Sequence, residues 1–222
     1  MMTTANQSRW HGAGVALACG ALILLLSLGI RHAFGLFLQP VSMAQGWGRE
    51  TFAFALALQN LVWGASQPFT GMVADRFGAK PVIVLGAALY ACGLWMMAQI
   101  AGEAYFIVGA GILIGLGLSG TTFPVIFAAI SRLVASEQRS LAMGITMAVG
   151  SFGQFALLPV SLGFIVGFDW QGALVALSVL ALLMSPLAFG IRYAPAPLAV
   201  GEEDVGFTRA LRDAFGTREP DD

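Results

Sequence analysis

Charged side chains are scarce in this sequence, and their scarcity excludes several classes of protein. Only 10% of the 222 residues are Asp, Glu, Lys or Arg, whereas about a quarter of an ordinary soluble domain is charged. The formal net charge of −1 offers no basic surface for nucleic acid. The two cysteines, Cys19 and Cys92, both lie inside apolar runs and share no metal-ligand spacing, so neither a disulfide framework nor a metal site is expected.

Apolar residues fill the chain instead, at 58% of the sequence and a mean hydropathy of +0.81. They form six runs that are each long enough to cross a bilayer core of about 30 Å as an α-helix. The sequence therefore predicts an all-α polytopic membrane domain at 12–193, after an N-terminal tail at 1–11 and before a cytoplasmic segment at 194–222. The predicted spans are 14–38, 51–73, 81–100, 105–130, 141–167 and 172–191.

Basic residues predict the orientation, because cytoplasmic loops carry an excess of Lys and Arg. With both termini in the cytoplasm of a bacterial inner membrane, Arg49 alone lies outside and Arg31 lies within a span. The other Lys and Arg are then cytoplasmic: Arg9, Arg76, Lys80, Arg132, Arg139, Arg192, Arg209, Arg212 and Arg218. In the C-terminal segment, the apolar residues of 207–215 recur at helical spacing. This favours either a short amphipathic helix on the inner membrane surface or a disordered polar tail.

Arg31 is the sharpest candidate for a binding residue. It lies about two-thirds along the first span, and none of the six predicted spans contains an acidic residue to neutralise it. A cation in hydrocarbon is costly, so its side chain should face the bundle interior or a water-filled cavity. A guanidinium binds a carboxylate with two parallel hydrogen bonds, which indicates an anionic substrate. The alternative is that Arg31 extends to the nearby outer interface.

The other candidates for substrate binding are polar or aromatic residues within the spans. His32 follows Arg31 and is interpreted either as a proton relay or as a structural histidine bonded to backbone. Gln59, Trp63 and Gln67 recur at four-residue spacing on the second span, where they either bind substrate or join helices. Gln154 on the fifth span completes the set.

A charged segment from Gly71 to Lys80, GMVADRFGAK, interrupts two long apolar runs. It resembles the signature of the loop between the second and third helices of major facilitator superfamily transporters. Two glycines would permit a sharp turn and close packing, and Asp75 would accept backbone N–H groups at a helix start. The resemblance implies a cytoplasmic gate formed by these charges with the loop after the fourth span, whereas a plain tight turn with positive-inside anchors explains them nearly as well. The gate candidates are Gly71, Asp75, Arg76, Gly78, Lys80, Arg132 and Arg139.

The stretch RHAFGLF from Arg31, followed by Pro40 and by GWGR from Gly46, is similar to the monocarboxylate and oxalate/formate branch of that superfamily. Members of that branch move small organic anions by proton coupling or exchange. The resemblance implies a fold of twelve helices, as two six-helix halves around a midplane site. Since this chain has six predicted spans, it is interpreted as a 3+3 half, either a truncated product or a half-transporter that pairs with a second half or with its own copy.

Two further classes of function are weighed against a transporter. A non-transporting membrane module, such as a sensor or assembly partner, has the same composition. An intramembrane enzyme is disfavoured, because the spans offer neither acidic residues, nor paired histidines for haem, nor a nucleophile beside a base. We therefore expect no catalytic residue and no cofactor, and as partners a small organic anion and the lipid bilayer.

Overall fold

The computed structural model of the protein describes residues 4–99 and 102–191, with side chains from residue 13 onward. Residues 4–11 of the predicted N-terminal tail are helical, so the first helix begins before the predicted span at 14–38. The predicted C-terminal segment at 194–222, with the amphipathic helix at 207–215, lies outside the described residues. Within these ranges nearly every residue is helical, which confirms the all-α prediction. The elements in chain order are α1 (Thr4–His32), a 3₁₀ turn (Ala33–Phe37), α2 (Leu38–Gln45), α3 (Arg49–Phe77), α4 (Ala79–Gln99), α5 (Glu103–Ile107), a π-helical turn (Val108–Leu113), α6 (Ile114–Thr121), α7 (Phe123–Leu133), a 3₁₀ turn (Ser136–Gln138), α8 (Arg139–Leu182) and α9 (Met184–Ala188).

Four helical segments of the described chain are long and apolar enough to cross a membrane. The fourth of them is 53 residues long and is interrupted at Asp169, whose φ of 64° and ψ of 168° are not helical. Helix α3 has 29 residues but is not among the four, since Gln59, Asn60 and other polar residues lower its hydropathy. The four segments are Ala13–Gln45, Ala79–Gln99, Glu103–Leu133 and Ser136–Ala188.

Pro40, Gly46 and Gly48 predict a loop at 40–50 between the first two spans, and this prediction is wrong over most of its length. Helix α2 occupies Leu38–Gln45, and only residues 46–48 connect it to α3. Pro40 is tolerated because it lies in the first turn of α2, where a backbone N–H has no helical acceptor. Gly46 ends the helix with φ +67°, a left-handed conformation that glycine adopts without steric cost.

The predicted fourth span is a helix with two irregularities. The sequence predicts a bend at Pro124, and the chain does leave helical geometry at Thr122, with φ −114° and ψ −162°, before α7 begins. Pro124 is the second residue of α7, a position that suits its missing donor. The π-helical turn at Val108–Leu113 is not anticipated by the sequence pattern. Such single turns interrupt the regular backbone pairing and occur often at functional sites.

Glycines bring the helices into close contact. A Cβ atom on Gly29 of α1 would lie 2.6 Å from the carbonyl oxygen of Gly153 on α8, and one on Gly117 of α6 would lie 2.8 Å from that of Gly86 on α4. Neither separation is possible for a real side chain, so these helix pairs depend on glycine. The close contact between Gly29 and Gly153 packs α1 against the first half of α8. This packing positions the end of α1 that carries Arg31.

Candidate functional site

Arg31 lies in the last turn of α1 and its side chain is half-buried. One terminal nitrogen, Nη2, donates a hydrogen bond to Oδ1 of Asn60 on α3. The guanidinium carbon lies 5.0 Å from the ring centroid of Trp63, one helical turn further along α3, which is within the range of a cation–π contact. The partners of this cation on α3 are therefore an amide and an aromatic ring, both of them uncharged.

The third nitrogen of the guanidinium, Nε, is buried and has no hydrogen-bond partner. Within residues 13–99 and 102–191, no carboxylate forms an ion pair with Arg31. A buried donor left unpaired costs about 1–3 kcal/mol, and more when the group is charged. The arrangement therefore has an unused capacity to bind an acceptor, and an anion is the acceptor that a cation favours most.

A cleft of about 220 Å³ opens beside this cation. Its walls combine the polar side chains with apolar ones, and they come from α1, the 3₁₀ turn after it and α3. Pockets for drug-sized molecules measure about 300–1,000 Å³, so the part of the cleft that this chain forms fits a smaller solute. The residues that line it are Arg31, His32, Phe34, Gly35, Leu56, Gln59 and Asn60.

Trp63 connects the Arg31 site to the break in the predicted fourth span. Its indole Nε1 donates to Oγ1 of Thr122 at 3.0 Å, and that hydroxyl donates to the carbonyl oxygen of Leu118 at 2.6 Å. One turn before Arg31 on α1, the Ser27 hydroxyl lies 2.9 Å from the Thr121 hydroxyl. Both threonines at the end of α6 thus hydrogen-bond to the elements that carry Arg31 and Trp63.

The remaining substrate candidates fall into three different environments. His32 is exposed and lines the cleft, so it is not enclosed in the core. Gln59 is buried, and its Nε2 donates to the carbonyl oxygen of Ala110 within the π-helical turn at 2.8 Å, which is a helix-joining contact even though Gln59 also borders the cleft. Gln67 and Gln154 are half-buried and do not line the cleft.

Sequence reasoning left Asn60 out of the candidate site, although it is the hydrogen-bond partner of Arg31. Its position beside Gln59 and Trp63 indicates only an adjoining helical face. The signal that points to it is the combination of a lone intramembrane cation on the first span and several amides on the next long helix, because each polar group needs a partner in hydrocarbon. Thr121 and Thr122 escaped notice for a related reason, since hydroxyls usually bond to their own helix.

The predicted cytoplasmic gate contains one ion pair between distant helices. Nη2 of Arg132, near the end of α7, lies 2.7 Å from Oδ1 of Asp75, near the end of α3. Because α3 ends at Phe77, Asp75 lies near its C-terminus. The prediction that Asp75 accepts backbone N–H groups at a helix start is therefore wrong. A carboxylate is unfavourable at a helix C-terminus, and the Arg132 guanidinium offsets that cost.

The other gate candidates of the signature segment have different structural roles. Gly78 ends α3 with φ +89°, which explains the second glycine of the motif. Gly71 lies within α3, and a Cβ atom there would meet no other atom within 4 Å, so neither a turn nor close packing in the described chain requires it. Arg76 lies 5.5 Å from the Phe77 ring and Lys80 lies 4.2 Å from the Phe189 ring.

Arg139 begins α8 at the same loop as Glu137. The pKa of the Glu137 carboxyl is lowered from its ordinary value, first by a hydrogen bond from its own backbone N–H, then by the Ser136 hydroxyl, with a smaller contribution from the Arg139 charge. Its carboxylate contributes stability above the ordinary pKa and loses it as the pH falls through the lowered one. The Glu137 carboxylate is fully exposed, so it does not form a buried ion pair in this loop.

Comparison with known proteins assigns the family. The family described as Major Facilitator Superfamily matches residues 13–218. The chain belongs to the major facilitator superfamily. It is 34% identical over 217 residues to "Multidrug resistance protein MdtH" of Klebsiella pneumoniae, covering 96% of this chain and 52% of that protein.

Two groups of relatives in the family carry different names. The chain is 28% identical over 208 residues to "Monocarboxylate transporter 11" of Mus musculus, covering 93% of this chain and 44% of that protein. It is 26% identical over 180 residues to "Monocarboxylate transporter 13" of Bos taurus, covering 81% and 41%. The chain spans about half the length of the curated relatives it matches.

Membership of the family confirms the predictions of a membrane transporter fold and of a protein that is not an enzyme.

The Arg31 cleft and the signature segment lie at different ends of α3. The cleft involves Leu56, Gln59 and Asn60, whereas the ion pair involves Asp75. At a rise of 1.5 Å per residue, Asn60 and Asp75 are separated by about 22 Å along the helix. Helix α3 therefore connects the cleft physically to the gate charges.

Proposed function

We propose that this chain forms one half of a secondary active transporter for small organic anions, such as monocarboxylates. The half consists of six spans in a 3+3 arrangement at 12–193, with both termini in the cytoplasm. The first three apolar segments would supply one span each and helix α3 a fourth. The last apolar segment would supply the remaining two spans, on either side of Asp169. The anion site would be completed by a second six-helix half or by another copy of this chain. The anion would cross the membrane by alternating access, with proton coupling or exchange.

The observation that carries the proposal is the chemistry of Arg31. Its cation is held by a neutral amide and an aromatic ring, its Nε is buried without a partner, and a small cleft opens beside it. A carboxylate entering that cleft would form charge-assisted hydrogen bonds, which are about twice as strong as neutral ones. His32 also lines the cleft and is our candidate for a proton relay.

The cytoplasmic gate is the second part of the proposal. Asp75 and Arg132 join the ends of α3 and α7, and the signature loop lies between them and α4. An exposed ion pair of this kind is weak, typically about 0.2–1 kcal/mol, which suits a latch that must open in every transport cycle. Arg76, Lys80 and Arg139 would supply further basic charge at that face.

Uptake of labelled pyruvate into proteoliposomes tests the proposal, with the parent, Arg31→Ala and Arg49→Ala compared. Arg49 is exposed at the start of α3 and serves as the matched control. We expect Arg31→Ala to reduce uptake by about tenfold or more, as the loss of a charge-assisted pair implies, and Arg49→Ala to leave it unchanged. Equal uptake by Arg31→Ala and the parent would reject the anion site. No uptake by any of them would favour either a requirement for a separate second half or the non-transporting membrane module.

Drug export is the second candidate, since the relative at 34% identity is named a multidrug resistance protein. It predicts a broad apolar site that accepts lipophilic cations, which a fixed guanidinium would repel. Ethidium accumulation in the same proteoliposomes separates the two candidates. Pyruvate uptake without ethidium transport supports the anion carrier, and the reverse result supports drug export.

A further inference from the structure

We propose that Asn60 is a specificity-determining residue of the Arg31 site. In the empty cleft its neutral amide oxygen occupies one donor of the guanidinium, and it releases that donor to an incoming carboxylate. This inference rests on the proposed anion-binding role of Arg31. It goes further by assigning to a second residue the task of keeping the cation paired while leaving its charge available.

The orientation of the Asn60 amide follows from its two hydrogen bonds. Its Nδ2 donates to the carbonyl oxygen of Leu56, one turn earlier on α3, at 2.8 Å. Its Oδ1 accepts from Nη2 of Arg31. Arginine has only donors and a carbonyl has only acceptors, so the reversed amide would lose both bonds. The oxygen must therefore face the cation, and it stands where one oxygen of a bound carboxylate would stand.

Arg31 does not depend on Asn60 alone for its position. Trp63 lies against the guanidinium, with 5.0 Å between the guanidinium carbon and the ring centroid, and the indole is held in turn by Thr122. This cation–π contact does not depend on the hydrogen bond to Asn60, so it still holds the guanidinium when that bond is exchanged. The amide can consequently be displaced without loss of the cation's orientation, and Asn60 itself remains bonded to Leu56.

The choice of an amide at position 60 decides what the site can bind. A carboxylate there would pair with Arg31 permanently and leave no net charge to attract an anion. An apolar side chain there would leave a second donor of the half-buried guanidinium without a partner in the empty protein, in addition to Nε. The amide avoids both outcomes, because it satisfies Nη2 and adds no charge. The site therefore selects an acceptor that is stronger than an amide, namely a monoanion small enough for a cleft of about 220 Å³.

The full-length chain in lipid nanodiscs, labelled with ¹⁵N-arginine, provides the test. The Nε–H signal of Arg31 is identified by its loss in Arg31→Gln, and it is followed by NMR during titration with sodium pyruvate. The variants are Asn60→Asp, which has nearly the same shape and adds a charge, and Asn60→Leu, which removes the acceptor. Gln39→Glu is the matched control, since it makes the same change from amide to carboxylate at an exposed position that does not line the cleft.

We expect pyruvate to shift the Arg31 signal in the parent and in Gln39→Glu with the same affinity. Asn60→Asp should bind pyruvate about tenfold or more weakly, and its Arg31 signal should be displaced before any pyruvate is added, which shows that the variant is folded and paired. Asn60→Leu should bind pyruvate at least as tightly as the parent, because no internal acceptor competes.

Two results would overturn the role of Asn60 while leaving the proposed function intact. One is that Asn60→Asp binds pyruvate as tightly as the parent, and the other is that Asn60→Leu loses binding as completely as Arg31→Gln. A parent protein whose Arg31 signal does not respond to pyruvate would overturn both the anion site and the role of Asn60. The first two failures appear only in the variants and the third appears in the parent, so they are distinguishable.

Discussion

Gly153 allows α8 to approach α1, and its replacement by alanine tests the packing that holds Arg31 in place. A Cβ atom on Gly153 would meet the backbone of Leu25, at 2.7 Å from Cα and still closer to the carbonyl oxygen. These are main-chain atoms of a helix, so they cannot rotate away as a side chain would. Overpacking of this kind typically costs about 1–3 kcal/mol.

Gly163 on the same helix provides the comparison, because a Cβ atom there would have no other atom within 4 Å. In either position alanine improves helix propensity by about 1 kcal/mol, and this gain cancels when the two variants are compared. Gly153→Ala should therefore be less stable than Gly163→Ala by about 1–3 kcal/mol. For a chain of this length that corresponds to roughly 2–12 °C in melting temperature.

The assay is unfolding of the purified protein in detergent, by heat and by titration with a denaturing detergent, for the parent and both variants. We expect Gly163→Ala to be at least as stable as the parent and Gly153→Ala to be less stable than Gly163→Ala. Equal stability of the two variants would refute the close contact between α1 and α8. The position of Arg31 relative to α3 would then lose its structural support.

Two further predictions concern individual contacts. A double-mutant cycle with Asp75→Asn and Arg132→Gln should give a coupling energy of about 0.2–1 kcal/mol that falls as salt is raised, measured by unfolding in detergent; a coupling that does not respond to salt would contradict an exposed pair. Gln59→Leu should lower stability by about 1 kcal/mol, since it removes the hydrogen bond to Ala110, whereas Gln67→Leu should have a smaller effect; equal losses in the same assay would contradict the helix-joining role of Gln59.

Much of the architecture is predictable from the sequence because hydrocarbon imposes simple requirements. Long apolar runs must be helical, since every backbone group has to be paired internally. The same reasoning predicts that Arg31 turns toward other helices, and it does so toward Asn60 and Trp63. The break near Pro124 follows from the missing N–H of proline, although the backbone actually departs from helical geometry two residues earlier, at Thr122.

Other features depend on contacts between distant parts of the chain and carry no local signal. In the π-helical turn at Val108–Leu113, the carbonyl oxygen of Ala110 accepts a hydrogen bond from the Gln59 amide of another helix. No pattern within the turn itself predicts this contact. Asp75 looks like a helix cap when the signature is taken alone, but its partner Arg132 lies 57 residues away. Pro40 and Gly46 both favour a loop in the sequence, but Pro40 lies in the first turn of helix α2 and Gly46 ends that helix.

The central claim is that Arg31 binds a small carboxylate, and equilibrium binding tests it most directly because binding does not require a complete transport cycle. Binding of radiolabelled pyruvate to the purified full-length protein is measured in a scintillation proximity assay. Unlabelled pyruvate and the neutral amide acetamide are added in separate experiments as competitors. We expect saturable binding that pyruvate displaces, that acetamide does not displace, and that Arg31→Gln abolishes. Saturable binding that survives Arg31→Gln would contradict it.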